Sequence, residues 1–219
     1  MTGRFIQRRR RLSLRAALLI ALSGVSLALG APVLIERYVR IFPSVPDIIQ
    51  ARLPYVNFGI AGELYFLMLL IAAGLVLFRR QSTDLPGLLA MLGIFYGLRG
   101  AFIFTFPIGP PAGAPLLALR SPFYPVWHGY FPGGHAGLMT ILSLSMRDRR
   151  WRAAFLIATA LFAAGTVLSR AHYIADVLGG AVLGYAVFSW VRRHVDIGPA
   201  EPARAESAMA ANPLAERTP

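Results

Sequence analysis

Apolar residues in this chain come in long unbroken runs rather than at amphipathic spacing, and polar residues collect between the runs. Such runs predict membrane-crossing helices, because about 20 apolar residues suffice to cross the hydrocarbon core. Spans are predicted over 14–35, 58–78, 85–106, 135–147, 153–169 and 172–191, the fourth being short. The expected fold class is all-α: a polytopic membrane protein built as a six-transmembrane-helix bundle. Composition agrees, with 56% hydrophobic and 15% charged residues and a mean hydropathy of +0.58.

Charge adds an orientation. All 22 basic residues are arginine, and the net charge is +12. Arg4, Arg8, Arg9, Arg10, Arg11 and Arg15 surround the start of the first span. Arg79 and Arg80 follow the second, Arg147, Arg149, Arg150 and Arg152 the fourth, and Arg192 and Arg193 the sixth. The clusters fall on alternate sides of successive spans, so the positive-inside rule puts both termini in the cytoplasm. Nucleic-acid binding is not expected, because the basic groups flank spans instead of forming a groove interleaved with aromatics. Arginine and alanine richness without lysine points to a GC-rich, bacterial source, hence to the inner membrane. The chain has no cysteine, which excludes disulfides, thiolate catalysis and Cys-based metal sites.

Three regions are expected: a cytoplasmic basic N-terminus over 1–13, a membrane domain over 14–195 and a disordered polar tail over 196–219. The first run has signal-peptide features, but further spans follow it, so it reads as a retained span. Pro43 to Pro54 is a proline-punctuated loop with room for a short interfacial turn, and 107–134 is a Pro- and Gly-rich outer connection.

With the N-terminus inside, spans two, four and six start on the outer face. Glu63, Arg99, His135, His172 and Asp176 then gather on one side of the membrane, where ionisable groups usually face the bundle interior and mark function. His172 and Asp176 stand four apart, the spacing of one helix face, so the carboxylate can orient and charge-stabilise the imidazole. Phe131-Pro-Gly-Gly-His135 leads Gly133 and Gly134 into a helix whose free N–H groups and dipole favour an anion such as phosphate. His135 is then placed to protonate a leaving oxygen and His172 to attack. Arg99 and Arg170 offer forked donors matched to phosphate oxygens. Each also has a plainer reading: Glu63 can pair with Arg99, Arg170 can anchor at the interface, His128 can be solvated in its loop, and His194 is given no role.

Four blocks resemble the sphingomyelin synthase branch of the type 2 phosphatidic acid phosphatase superfamily, covering about 40–191. Pro43-Ser-Val-Pro-Asp47 resembles that branch's Pro-Leu-Pro-Asp loop. Arg99 with Thr105-Phe-Pro-Ile-Gly-Pro110 is similar to its third span ending in Thr-Leu-Pro-Val-Pro. Gly133-Gly-His135 corresponds to Ser-Gly-His, and His172-Tyr-Ile-Ala-Asp-Val177 to His-Tyr-Thr-x-Asp-Val. The resemblance implies His172 as nucleophile, Asp176 as its orienting partner, His135 as general acid, a phosphohistidine intermediate and no metal or other cofactor. It also implies a substrate-pocket role for Glu63, a phospholipid donor and a lipid alcohol or water as acceptor. Departures are Gly133 in place of serine, no Cys-Gly-Asp near Gly129, no lysine for the wider Lys-x6-Arg-Pro pattern, and Arg170 too close to His172 for the usual Ser-Arg-x5-His spacing. Three function classes stay open: a lipid phosphotransferase, a lipid phosphatase with water as acceptor, and a non-catalytic lipid carrier or assembly partner. Headgroup, acceptor and oligomeric state are not readable from the residues.

Overall fold

The computed structural model describes residues 10–38, 44–81, 85–114 and 131–196. Among these, six α-helices follow in order: α1 (Leu14–Tyr38), α2 (Gly59–Gln81), α3 (Leu85–Thr105), α4 (Gly134–Ser145), α5 (Arg149–Leu168) and α6 (Ile174–His194). A 3-10 turn at Gln50–Arg52 supplies the short turn expected between the first two spans. The helical expectation needs one small addition. Arg10–Arg11 (β1) pairs in parallel with Val195–Asp196 (β2), tying the start of the described chain to its end.

Five helices, α1, α2, α3, α5 and α6, are long and apolar enough to cross a membrane, and the chain is an integral membrane protein by that measure. α4 is different. Its 12 residues reach about 18 Å at 1.5 Å per residue, against roughly 30 Å of hydrocarbon.

Packing puts α4 at the centre. Leu138, Met139 and Leu142 of α4 join Ala73 and Leu77 of α2 and Phe155 of α5 in one cluster. Ile141 joins Met91 and Phe95 of α3 with Val187 and Val191 of α6 in another. α1 lies outside α3, sharing Ala31, Ile35 and Ile103 with it. The polar residues of α4 return their hydroxyls to their own helix: Thr140 donates to the Ala136 carbonyl (2.7 Å) and Ser143 to that of Met139 (2.6 Å). Buried hydroxyls therefore cost α4 little in an apolar setting.

Small residues let α4 and α6 approach until backbones touch. A Cβ on Gly184 would meet the Gly137 carbonyl oxygen at 2.6 Å, and one on Gly180 would overlap the Gly133 carbonyl. Gly133-x3-Gly137 facing Gly180-x3-Gly184 is the small-xxx-small arrangement by which membrane helices pack without a hydrophobic driving force. At the opposite end from the histidines, Arg152 donates twice to the Met146 carbonyl (3.0 and 2.6 Å), and Asp148 accepts from the Arg150 N–H at the start of α5 (2.8 Å).

Candidate active site

α4 opens at the end where α3 and α5 finish and α2 and α6 begin. The Gly133 N–H donates to the Asp176 carbonyl (2.8 Å), binding the entry of α4 to the first turn of α6. A Cβ at Gly133 would stand 2.7 Å from that same carbonyl oxygen. Glycine at this position, where the resembling branch has serine, is therefore a packing requirement. Arg99 is buried on α3 and its Nε donates to the Pro132 carbonyl (3.0 Å). Its guanidinium lies against Gly134, whose added Cβ would be 3.0 Å from Nε. A fixed cation thus sits beside the first turn of α4, where helix N–H groups already favour an anion.

His135 follows at once. Its ring lies edge-on to Phe66 of α2 (centroids 4.3 Å) and to Phe162 of α5 (5.9 Å), so two aromatic walls fix it. On its open side stands His172, with centroids 5.8 Å apart and ring planes at 74°.

His172 does not share a helix with Asp176, and here the sequence expectation is corrected. Tyr173 is the N-cap and α6 begins at Ile174, so His172 belongs to the α5–α6 turn. Asp176 occupies the third helical position, where a carboxylate reaches back over the helix start: Oδ2 accepts the Tyr173 N–H at 3.1 Å. The same oxygen lies 3.5 Å from His172 Nδ1. The spacing of four brings the pair together through a cap instead of along a helix face. Asp176 is 1% exposed and His172 about 14% on its side chain, so the carboxylate is sealed while the imidazole keeps one open side.

The other singled-out residues separate. Arg170, with φ at 55°, turns away to lie over the Tyr55 ring (5.7 Å) and beside Gly113. Glu63 lies on the face of α2 that carries Phe66, about 4.5 Å further toward the helix start. It is exposed and pairs with no cation among the described residues, so the Glu63–Arg99 ion pair does not form. His194 stacks on Trp190 at the far end of α6. His128 and Gly129 lie outside the described residues.

A mostly apolar pocket of about 470 Å³ is lined by Val45, Ile48, Ile108, Phe131, Ile174 and Leu178, and Asp47, Tyr173 and Asp176 also border it. Among the described residues no three of His, Cys, Asp and Glu gather as a metal-binding group. Two residues with a clear place at the site carried no role in the sequence: Asp47 and Gln50, whose bonds reach the α5–α6 turn. Asp47-Ile-Ile-Gln50 has capping-box spacing, a signal that could have drawn attention to both.

Two half-buried imidazoles on separate elements thus stand side by side, one backed by a carboxylate and the other beside an arginine and a helix start, an arrangement chemically suited to anionic groups. Residues 115–196 match the family model of the PAP2 superfamily. The matched stretch carries α4, α5 and α6 with His135, His172 and Asp176, whereas Arg99 and Glu63 lie in the unmatched part. No curated protein matches the chain. PAP2 proteins act on phosphate esters at membranes by phosphoryl transfer or hydrolysis.

Proposed function

We propose that this chain is a member of the PAP2 superfamily, a six-helix membrane lipid phosphotransferase working through a phosphohistidine. One observation carries the reading: His135 and His172 face each other at 5.8 Å with Asp176 behind His172. Two imidazoles this close can both reach groups on one phosphorus, one attacking while the other exchanges a proton with a bridging oxygen.

The steps follow from which atoms face which. His172 Nδ1 faces the Asp176 carboxylate, so the proton sits on Nδ1 and the Nε2 lone pair attacks phosphorus. The P–O bond to the donor lipid breaks, and its oxygen takes a proton from His135. Asp176 stabilises the positive charge left on the phosphorylated ring. Arg99 and the first N–H groups of α4 hold the non-bridging oxygens as charge builds on them. An acceptor hydroxyl then gives its proton to His135 and attacks phosphorus, the P–N bond breaks, and His172 is regenerated. The neighbouring apolar pocket suits the chain of a lipid. The arginine distribution supports cytoplasmic termini and a site on the periplasmic face of a bacterial inner membrane.

The sphingomyelin synthase-like blocks favour a lipid alcohol as acceptor and a phospho-headgroup as the group moved. Water is the second reading, and the family match is compatible with it, because that superfamily includes hydrolysis as well as phosphoryl transfer. Product analysis separates them. Purified protein in mixed micelles with headgroup-labelled phospholipid should give a new phospholipid only when a lipid alcohol is added. Release of phosphate or phospho-headgroup at the same rate without alcohol would make the chain a hydrolase. Lipid binding without turnover under either condition would leave the carrier reading.

A further inference from the structure

Gln50 takes no part in these steps, yet it is 5% exposed in a loop whose neighbours Ile48 and Ile49 are well exposed. Its Nε2 donates to two main-chain carbonyls, those of Val167 (2.9 Å) and His172 (2.8 Å). Val167 lies in the last turn of α5 and His172 directly precedes the cap of α6. One carboxamide thus spans both ends of the turn that carries the nucleophile. The side-chain type matters: both amide protons are spent on acceptors, a carboxylate has none to give, and asparagine is one methylene shorter.

The loop is itself pinned to the same place. The Gln50 N–H donates to Asp47 Oδ1 (2.9 Å), while Asp47 Oδ2 accepts the Ile174 N–H (2.9 Å) just beyond His172. The Tyr173 hydroxyl accepts the Val45 N–H (3.0 Å) and donates to the Pro110 carbonyl (3.0 Å). Val167, His172, Tyr173 and Ile174 are therefore all tied to 45–50.

We propose that Gln50 is a positioning residue: through the His172 main chain it sets the height at which the imidazole meets both Asp176 and His135. Its catalytic consequence rests on the phosphoryl-transfer reading. Displacement of a reacting group by about 1 Å can cost 10²-fold in rate.

The test uses the full-length protein in detergent, with Gln50→Met keeping length without donors and Gln50→Glu replacing them by a titratable acid. Turnover of headgroup-labelled phospholipid is measured together with ring-nitrogen NMR shifts of His172, which report its tautomer without needing turnover. Q50M should unfold close to the wild-type temperature, lose roughly 10- to 100-fold in kcat with KM within about twofold, and shift His172 from the Nδ1–H tautomer toward a mixture. Q50E should regain kcat relative to wild type as pH falls, because only a protonated carboxyl can donate to one of the carbonyls, whereas Q50M should not. Folded variants with wild-type kcat and unchanged His172 shifts would overturn the inference, as would failure of both to fold, which is the mark of a purely structural residue. If the wild type never turns over lipid, phosphoryl transfer falls, and the His172 shifts of Q50M still decide for or against positioning.

Discussion

α4 and α2 each bring a singled-out residue to the same end of the bundle, and they are held in opposite ways. Nine of the 12 residues of α4 are buried, including Gly134, Ala136 and Gly137 around His135. α2 runs over 23 residues, yet only 6% of its apolar window is buried, and Glu63 on it is exposed. Hydropathy alone ranks the longer helix as the firmer part of the bundle. Packing reverses that order. A reactive pair needs walls that exclude water and fix ring orientation, and α4 obtains them from four neighbours, whereas α2 lends α4 one wall, Phe66.

That contrast makes unequal demands on substitutions. Asp176→Asn keeps the shape of the cap but removes the charge behind His172 and allows the wrong tautomer. Turnover should fall by roughly 10²- to 10⁴-fold with lipid binding nearly intact, as steady-state kinetics beside a binding assay would reveal. A variant within about threefold of wild type would remove Asp176 from the chemistry.

Next in size is a pair of glycine changes. On Gly137 a new Cβ would overlap the Phe95 ring and approach the Gly180 carbonyl oxygen at 2.7 Å, whereas on Gly74 of α2 it meets nothing within 4 Å. Gly137→Ala should therefore destabilise by about 1–3 kcal/mol through overpacking, and Gly74→Ala should be neutral or stabilising by up to about 1 kcal/mol. Thermal unfolding of both in the same detergent checks this, and equal melting temperatures would mean that α4 is not the tighter element.

The smallest effect is expected at Glu63. Exposed and without an ion pair among the described residues, it should tolerate Glu63→Gln with kcat within about threefold of wild type, in line with modest effects at open positions. A drop as large as that of Asp176→Asn would show that α2 closes over the site during turnover.

Much of the fold was legible because the bilayer imposes a length: five of the six predicted spans match helices long enough to cross it, 85–106 differing from Leu85–Thr105 by one residue, while 135–147 matches the shorter α4. The start of α6 was misplaced by two residues because a carboxylate at the third helical position caps the chain at Tyr173, a local bond that an apolar run does not reveal. Glu63 shares the face of α2 that carries Phe66, yet it is exposed, because what covers a position depends on neighbouring elements that an apolar run does not name. Gly133 and Gly134 were read as an anion cradle, and the repeated four-residue spacing of Gly133, Gly137, Gly180 and Gly184 was the unused sign that they also permit helix contact. Capping-box spacing could have flagged Gln50 but not what it holds: its side-chain partners are main-chain carbonyls more than 100 residues away, and carbonyls leave no mark in a sequence.

Trapping phosphate on the protein is the decisive measurement. Wild type, His172→Ala and His135→Ala are mixed with phosphate-labelled phospholipid, quenched in base to preserve phosphohistidine, digested and mapped by mass spectrometry. Label should appear on His172 in the wild type and be absent from His172→Ala. Label on His135 or any other residue, or none at all in protein that is turning over lipid, would contradict the assignment of His172 as the nucleophile.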